Sequence, residues 1–134
     1  MNSYQKTSFS AISLFTGAGG LDIGMERAGF RIFSSVEIDP IFVKTLEKNQ
    51  ELKHKFEKSK HHFQDTRIIC NDIRKVNPAE LAPEGSTIDC IFGGPPCQPL
   101  SSAGKMRSVL DPQGELFNEF VKIVSYWKPR TFLF

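Results

Sequence analysis

A thiol, two carboxylates and a run of glycines are the groups in this chain with chemistry to offer. Cys97 follows two glycines and two prolines in Gly93-Gly94-Pro95-Pro96-Cys97-Gln98. The glycines free the backbone to turn and the prolines then fix φ near about −65° at two successive residues. The sulfur is thereby presented on a stiff bend, as a nucleophile requires. A free cysteine is more often a small buried hydrophobe. Cys90 suits that role inside the apolar run at 88–92, whereas Cys97 lies beyond the run in a loop rich in Gly, Pro and Ser.

The second constellation is Phe15-Thr16-Gly17-Ala18-Gly19-Gly20 with Glu37 and Asp72. Missing Cβ atoms at Gly17, Gly19 and Gly20 allow a ligand close to the backbone, and a helix starting there offers its free amides. Glu37 falls twenty residues after Gly17, where a carboxylate can accept both hydroxyls of a ribose. Asp72 ends a later apolar run, where a carboxylate can accept from an adenine amino group. Taken singly, either acid also reads as a helix cap or a surface charge. A nucleoside cofactor fits the set, and two compete. A dinucleotide calls for Gly-x-Gly-x-x-Gly, but Asp22 stands three residues past Gly19, where its side chain would crowd a pyrophosphate. S-adenosylmethionine has no phosphate and tolerates an acid there.

These groups need elements to hold them. Apolar runs at 11–15, 31–37, 66–70, 88–92 and 131–134 read as strands. Between them, Leu21, Gly24, Met25 and Ala28 recur at helical spacing up to Gly29, and Asp39-Pro40 supplies an N-cap and a first-turn proline. Ile41, Phe42, Thr45 and Leu46 are expected to face the sheet. Asn77 with Glu80 opens a short helix. A third long helix, starting at Asp111-Pro112, sets Leu116, Phe117, Phe120, Val121, Val124 and Trp127 inward and stops at Lys128-Pro129. Residues 47–62 turn polar and carry His54, His61 and His62, read as a solvated face with weak affinity for phosphates rather than a metal site. The alternation predicts an α/β fold: a Rossmann-like parallel sheet of about five strands flanked by helices.

At 134 residues, with 40% hydrophobic and 24% charged residues, the chain reads as one ordinary globular domain, 1–134. A net charge of +2 neither implies nor excludes nucleic acid. The three cysteines, Cys70, Cys90 and Cys97, form no C-x-x-C pair, so neither a disulfide framework nor a zinc site is indicated. Free thiols suit a reducing compartment, and no run approaches the ~20 apolar residues of a membrane span, so the expected location is the cytoplasm.

Gly93-Gly94-Pro95-Pro96-Cys97-Gln98 with Ser101-Ser102-Ala103-Gly104 resembles the catalytic motif of the cytosine-5 DNA methyltransferases. Transfer-RNA cytosine-5 methyltransferases share Pro-Pro-Cys-Gln, and the Ser-Ser-Ala-Gly continuation leans towards DNA. The glycine turn, Glu37 and Asp72-Ile73 resemble that family's cofactor motifs in order and spacing. The resemblance implies S-adenosylmethionine as cofactor. It assigns Phe15, Gly17, Gly19, Gly20, Glu37, Ile38, Asp72, Ile73 and Pro95 to its pocket, with Asp22 near its methionine end. It makes the Cys97 thiolate attack carbon 6 of a cytosine flipped out of double-stranded DNA. Gln98, Ser101, Ser102, Lys105 and Arg107 are then the DNA contacts, Lys105 and Arg107 at phosphates.

The resemblance runs from Ile12 to Phe134 and covers only the first half of a catalytic domain. In relatives a strand like Thr131-Phe132-Leu133-Phe134 continues into Glu-Asn-Val, and later come a catalytic arginine strand, a target-recognition region and a closing helix. A sheet edge left uncovered favours association. The expectation is therefore one part of a split, truncated or excised enzyme, inactive without a complementary C-terminal chain or segment. A non-catalytic cofactor-binding or interaction module and a nicotinamide oxidoreductase are the competing readings.

Overall fold

From Ser10 to Leu14 the first strand is buried at every residue, so both of its faces are covered. That is the position of a central strand in a parallel sheet. The computed structural model describes residues 8–52, 62–95 and 112–134. Five strands, β1 (Phe9–Leu14), β2 (Phe30–Glu37), β3 (Arg67–Cys70), β4 (Cys90–Gly93) and β5 (Thr131–Leu133), form one sheet in the order β3-β2-β1-β4-β5. Every neighbouring pair is parallel. Helices α1 (Gly20–Arg27), α2 (Pro40–Glu51) and α3 (Pro112–Trp127) connect them, with 3-10 turns at Ile73–Lys75 and Pro78–Glu80. The chain passes from β1 outward to β2 and β3, then returns to β4 on the other side of β1. The order therefore reverses between β1 and β4, and the crevice beyond their carboxyl ends is the usual ligand position in such sheets.

The two faces of β1 lead to different cores. Ile12 and Leu14 join Val36, Ile73, Val76, Leu81, Ile88, Ile91, Phe120 and Ile123. Ala11, on the other face, joins Ile32, Cys90 and Phe92, with Met25 of α1 packed against them. Gly93 permits the close approach of β4 to β1, since a Cβ there would overlap the Leu14 carbonyl. Trp127 ties α3 to the Pro78–Glu80 turn by donating its indole N–H to the Pro78 carbonyl at 2.8 Å.

Local signals hold where their partner is close in sequence. Asp39 caps α2, accepting from the Ile41 amide, with Pro40 at its start, and Asn77 caps its turn by accepting from Ala79. The Asn77 start yields a single 3-10 turn rather than an α-helix. Lys128 ends α3 in a left-handed conformation, φ 47°, with Pro129 preventing continuation.

The helix faces differ from expectation. Val43 and Leu46 are the buried residues of α2, while Ile41 (70% exposed), Phe42 and Thr45 face outward. In α1 Asp22 is buried and Met25 packs against the second core, while Leu21 is exposed. In α3 Ile123 joins Phe120 in the core, and Phe117 and Val121 are exposed. His62 is buried, 7% exposed, not part of a solvated face. Its Nδ1 meets the Glu26 carboxylate at 2.6 Å. His54 and His61 lie outside the described residues, among which no group of three or more His, Cys, Asp or Glu side chains could hold a metal ion. No described helix is long and apolar enough to cross a membrane.

Candidate cofactor crevice at the strand reversal

The turn after β1 is built from backbone bonds and two left-handed glycines. Thr16 donates its amide to the Val36 carbonyl at 3.1 Å, and Gly19 closes the turn by donating to the Thr16 carbonyl at 3.2 Å. Phe15, Gly17 and Gly19 have φ of 53°, 59° and 84°. The last two values explain glycine, because a Cβ destabilises that conformation by roughly 1–2 kcal/mol. Gly19 precedes α1 and offers its first-turn amides no side-chain cap.

The glycines divide by what surrounds them. A Cβ on Gly17 or Gly20 would meet nothing within 4 Å, which is the space a ligand needs. A Cβ on Gly19 would stand 2.6 Å from both the Leu46 and Phe63 side chains, so this glycine serves packing beneath the turn. Phe63 is held there by its neighbours. Its amide donates to Glu26 at 2.8 Å, and the Gln50 amide group donates to the carbonyls of Phe63 and Thr66 at 2.6 and 3.0 Å.

Glu37, at the carboxyl end of β2, is buried and bound to the turn. One carboxylate oxygen accepts from the Ile38 and Asp39 amides at 2.9 Å each, and the other accepts from Gly17 at 2.6 Å. A carboxylate has about four acceptor directions, so this arrangement leaves room for one ribose hydroxyl. Accepting both requires release of an amide. Ile38 beside it is 62% exposed, on the crevice rim.

Asp72, beyond β3, is the opposite case. It accepts the Arg74 amide and grips the Arg74 guanidinium through both oxygens, at 2.6–3.1 Å. Hydrogen bonding from Arg74 is the main reason its pKa falls to about 2. Arg74 also approaches Glu115 of α3 at 3.6 Å. Ile73 sits in the main core, so its side chain is committed there and only its backbone remains for a ligand. Pro95, after β4, is buried. Cys97, Gln98, Ser101, Ser102, Lys105 and Arg107 lie outside the described residues.

Asp22 corrects the reading from sequence. Its side chain turns down into the sheet, 1% exposed, and accepts from Ser13 at 2.8 Å and Ser35 at 2.7 Å. Burial lifts its pKa to about 6 against the lowering effect of the two serines, and nearby Glu26 adds to the rise. It does not stand over the turn, so crowding is no objection to a pyrophosphate; a buried negative charge in the first turn of α1 still is. Ser13, Ser35, Arg74, Glu26 and Phe63 went unsingled in sequence. Only the Asp72-x-Arg74 pair had a local signal, since the others are brought together from distant parts of the chain.

The family of C-5 cytosine-specific DNA methylases matches residues 9–134. The chain is 42% identical over 122 residues to Type II methyltransferase M.FnuDI of Fusobacterium nucleatum, covering 91% of this chain and 30% of that protein. It is 39% identical to Type II methyltransferase M.AquIA of a Picosynechococcus strain, covering 91% of this chain and 46% of that one. A solved E. coli structure, assigned as a prophage-encoded DNA modification methyltransferase, superposes with a TM-score of 0.67 at 30% identity. It covers 91% of this chain and 30% of its own. The chain thus spans about a third to a half of the length of these relatives.

Proposed function

The chain belongs to the family of C-5 cytosine-specific DNA methylases, and from that premise we propose that it is the cofactor-binding and nucleophile-bearing part of a DNA cytosine-5 methyltransferase of restriction-modification type. The observation that carries the reading is the crevice at the β1/β4 reversal. It has open backbone at Gly17 and Gly20 on one side, and on the other the strand that leads into Pro95-Pro96-Cys97. The Type II relatives favour DNA over transfer RNA as substrate.

The residues suit S-adenosylmethionine. Gly17 and Gly20 admit it to the backbone, Glu37 takes a ribose hydroxyl, Ile38 covers the adenine and Asp72 accepts from its amino group. When bound, this cofactor supplies a methyl group activated by a sulfonium. The Cys97 thiolate adds to carbon 6 of the cytosine, forming an S–C bond and moving the electron pair of the 5,6 double bond onto carbon 5. That pair would take the methyl group the bound cofactor supplies, whose sulfonium would leave as a neutral thioether, and loss of the carbon 5 proton to water would return the pair to the double bond as the Cys97 thiolate leaves. A free thiol has pKa about 8.5, so alignment must raise the reactivity of the small thiolate fraction. The base must first leave the duplex, and Lys105 and Arg107 grip the phosphates while it does. The remaining function comes from a complementary segment matching the rest of the relatives' length, and the protein works in the cytoplasm.

The test is a duplex carrying 5-fluorocytosine, incubated with cofactor and the chain, alone and with such a segment. A denaturation-resistant adduct that is lost in Cys97→Ser supports the reading. Turnover by the chain alone refutes the need for a partner. No adduct in either case favours a non-catalytic binding module.

A further inference from the structure

The buried Asp22 is part of a chain of hydroxyls that ends in the glycine turn. Ser13 donates to Asp22 at 2.8 Å, and the same Ser13 oxygen lies 3.0 Å from the Thr16 hydroxyl, where either atom can be the donor. A serine has one proton to give. With Asp22 ionised, that proton goes to the carboxylate, so Thr16 must donate to Ser13. Ser35 donates to the other Asp22 oxygen at 2.7 Å and cannot relieve this constraint. The hydroxyl of half-buried Thr16 then has only lone pairs left to offer a ligand. With Asp22 protonated, the carboxyl can donate to Ser13, Ser13 to Thr16, and Thr16 gains a proton to offer outward.

We propose that Asp22 is a positioning residue that sets the hydrogen-bond polarity of the cofactor turn: ionised, it makes Thr16 an acceptor for an N–H or ammonium donor of the ligand, and protonated on the oxygen facing Ser13 it frees Thr16 to donate. The inference rests on the cofactor reading above for its ligand, but the relay is a property of the free chain. Three features support it. The carboxylate is 1% exposed and bonded through both oxygens, so its proton can go only to Ser13 or Ser35 and not to water. Its midpoint of about 6 puts both states within reach. The other charged groups nearby are Glu26, engaged by His62 and the Phe63 amide, and Glu37, engaged by three amides. Neither joins the hydroxyl chain.

The experiment follows the Thr16 and Gly17 amide resonances of the free chain, and its affinity for S-adenosylmethionine, from pH 5 to pH 8. In wild type the resonances titrate near pH 6, and affinity is about tenfold higher above that midpoint, the worth of one ordinary hydrogen bond. Asp22→Asn abolishes both pH dependences. Ser13→Ala leaves Asp22 titratable but uncouples it, so affinity becomes flat with pH. Thr16→Val is flat at the weaker, acidic level. A role in folding alone moves affinity and thermal stability together, whereas here Asp22→Asn gains stability at pH 8 while its affinity ceases to respond. Retention of the wild-type pH profile in Ser13→Ala or Asp22→Asn overturns the relay. Titrating amides in a wild type that binds no S-adenosylmethionine uphold the relay and overturn the cofactor reading instead.

Discussion

Glu37 and Asp72 end neighbouring strands and look alike in sequence, yet the structure uses them in opposite ways. Glu37 is buried, and three backbone amides claim most of its acceptor capacity, so it fixes the glycine turn to β2. Asp72, its own side chain 14% exposed, is held by the half-exposed guanidinium of Arg74 two residues away. Bonding to amides across the sheet makes an acid part of the framework. Pairing with an exposed arginine leaves it able to exchange partners. The crevice therefore has a rigid turn end, built on Glu37, Asp22 and Gly19, and an adjustable end at Asp72.

The largest test of that contrast is Gly19→Ala. Left-handed strain of about 1–2 kcal/mol and overpacking against Leu46 and Phe63 of about 1–3 kcal/mol together predict a loss of about 2–5 kcal/mol. Gly17→Ala carries the strain alone, so urea denaturation of the two should differ, with Gly17→Ala losing cofactor affinity out of proportion to stability. Equal losses in both would break the distinction between packing glycine and ligand glycine.

Next is Asp22→Asn, with a sign that depends on pH. A carboxyl whose folded pKa is raised, here from 3.8 to about 6, favours folding while protonated and loses that contribution as pH rises between the two values. The variant should match wild type below about pH 4 and be more stable above pH 6, by up to roughly 3 kcal/mol at two units of difference. Thermal melts at pH 3.5 and pH 8 read this directly.

Glu37→Ala should cost about 2 kcal/mol by stranding amides at Gly17, Ile38 and Asp39. Arg74→Ala is the smallest effect. It should leave the melting temperature unchanged, since exposed pairs contribute little, and alter only the preference for adenine over other nucleosides. A destabilisation as large as that of Glu37→Ala would mean the two ends are built alike.

What sequence made legible follows the same division. Strand positions, the Asp39-Pro40 and Asn77 caps and the Lys128-Pro129 stop were readable because each depends on residues within a few positions. The inward face of α2 was misread because a short amphipathic stretch fits more than one helical phase. Only packing against the sheet selects Val43 and Leu46 over Ile41 and Phe42. Asp22 was misread for a stronger reason. A carboxylate faces a core only when partners are waiting, and Ser13 and Ser35 come from two strands brought together by the fold. His62 and Glu26, separated by 36 positions, were invisible to any local pattern. Of the proposed site, the cofactor half is described and the nucleophile-bearing segment 96–111 lies outside the described residues.

The central claim is that the crevice at the β1/β4 reversal takes S-adenosylmethionine. Amide-resonance mapping of the labelled chain, titrated in parallel with S-adenosylmethionine and with a nicotinamide dinucleotide, tests it most directly. The account predicts shifts at Thr16 to Gly20, Glu37 to Asp39 and Asp72 with the former and none there with the latter. Shifts confined to the opposite end of the strands, where Ser10, Asp89 and Arg130 meet, or a preference for the dinucleotide, would contradict it.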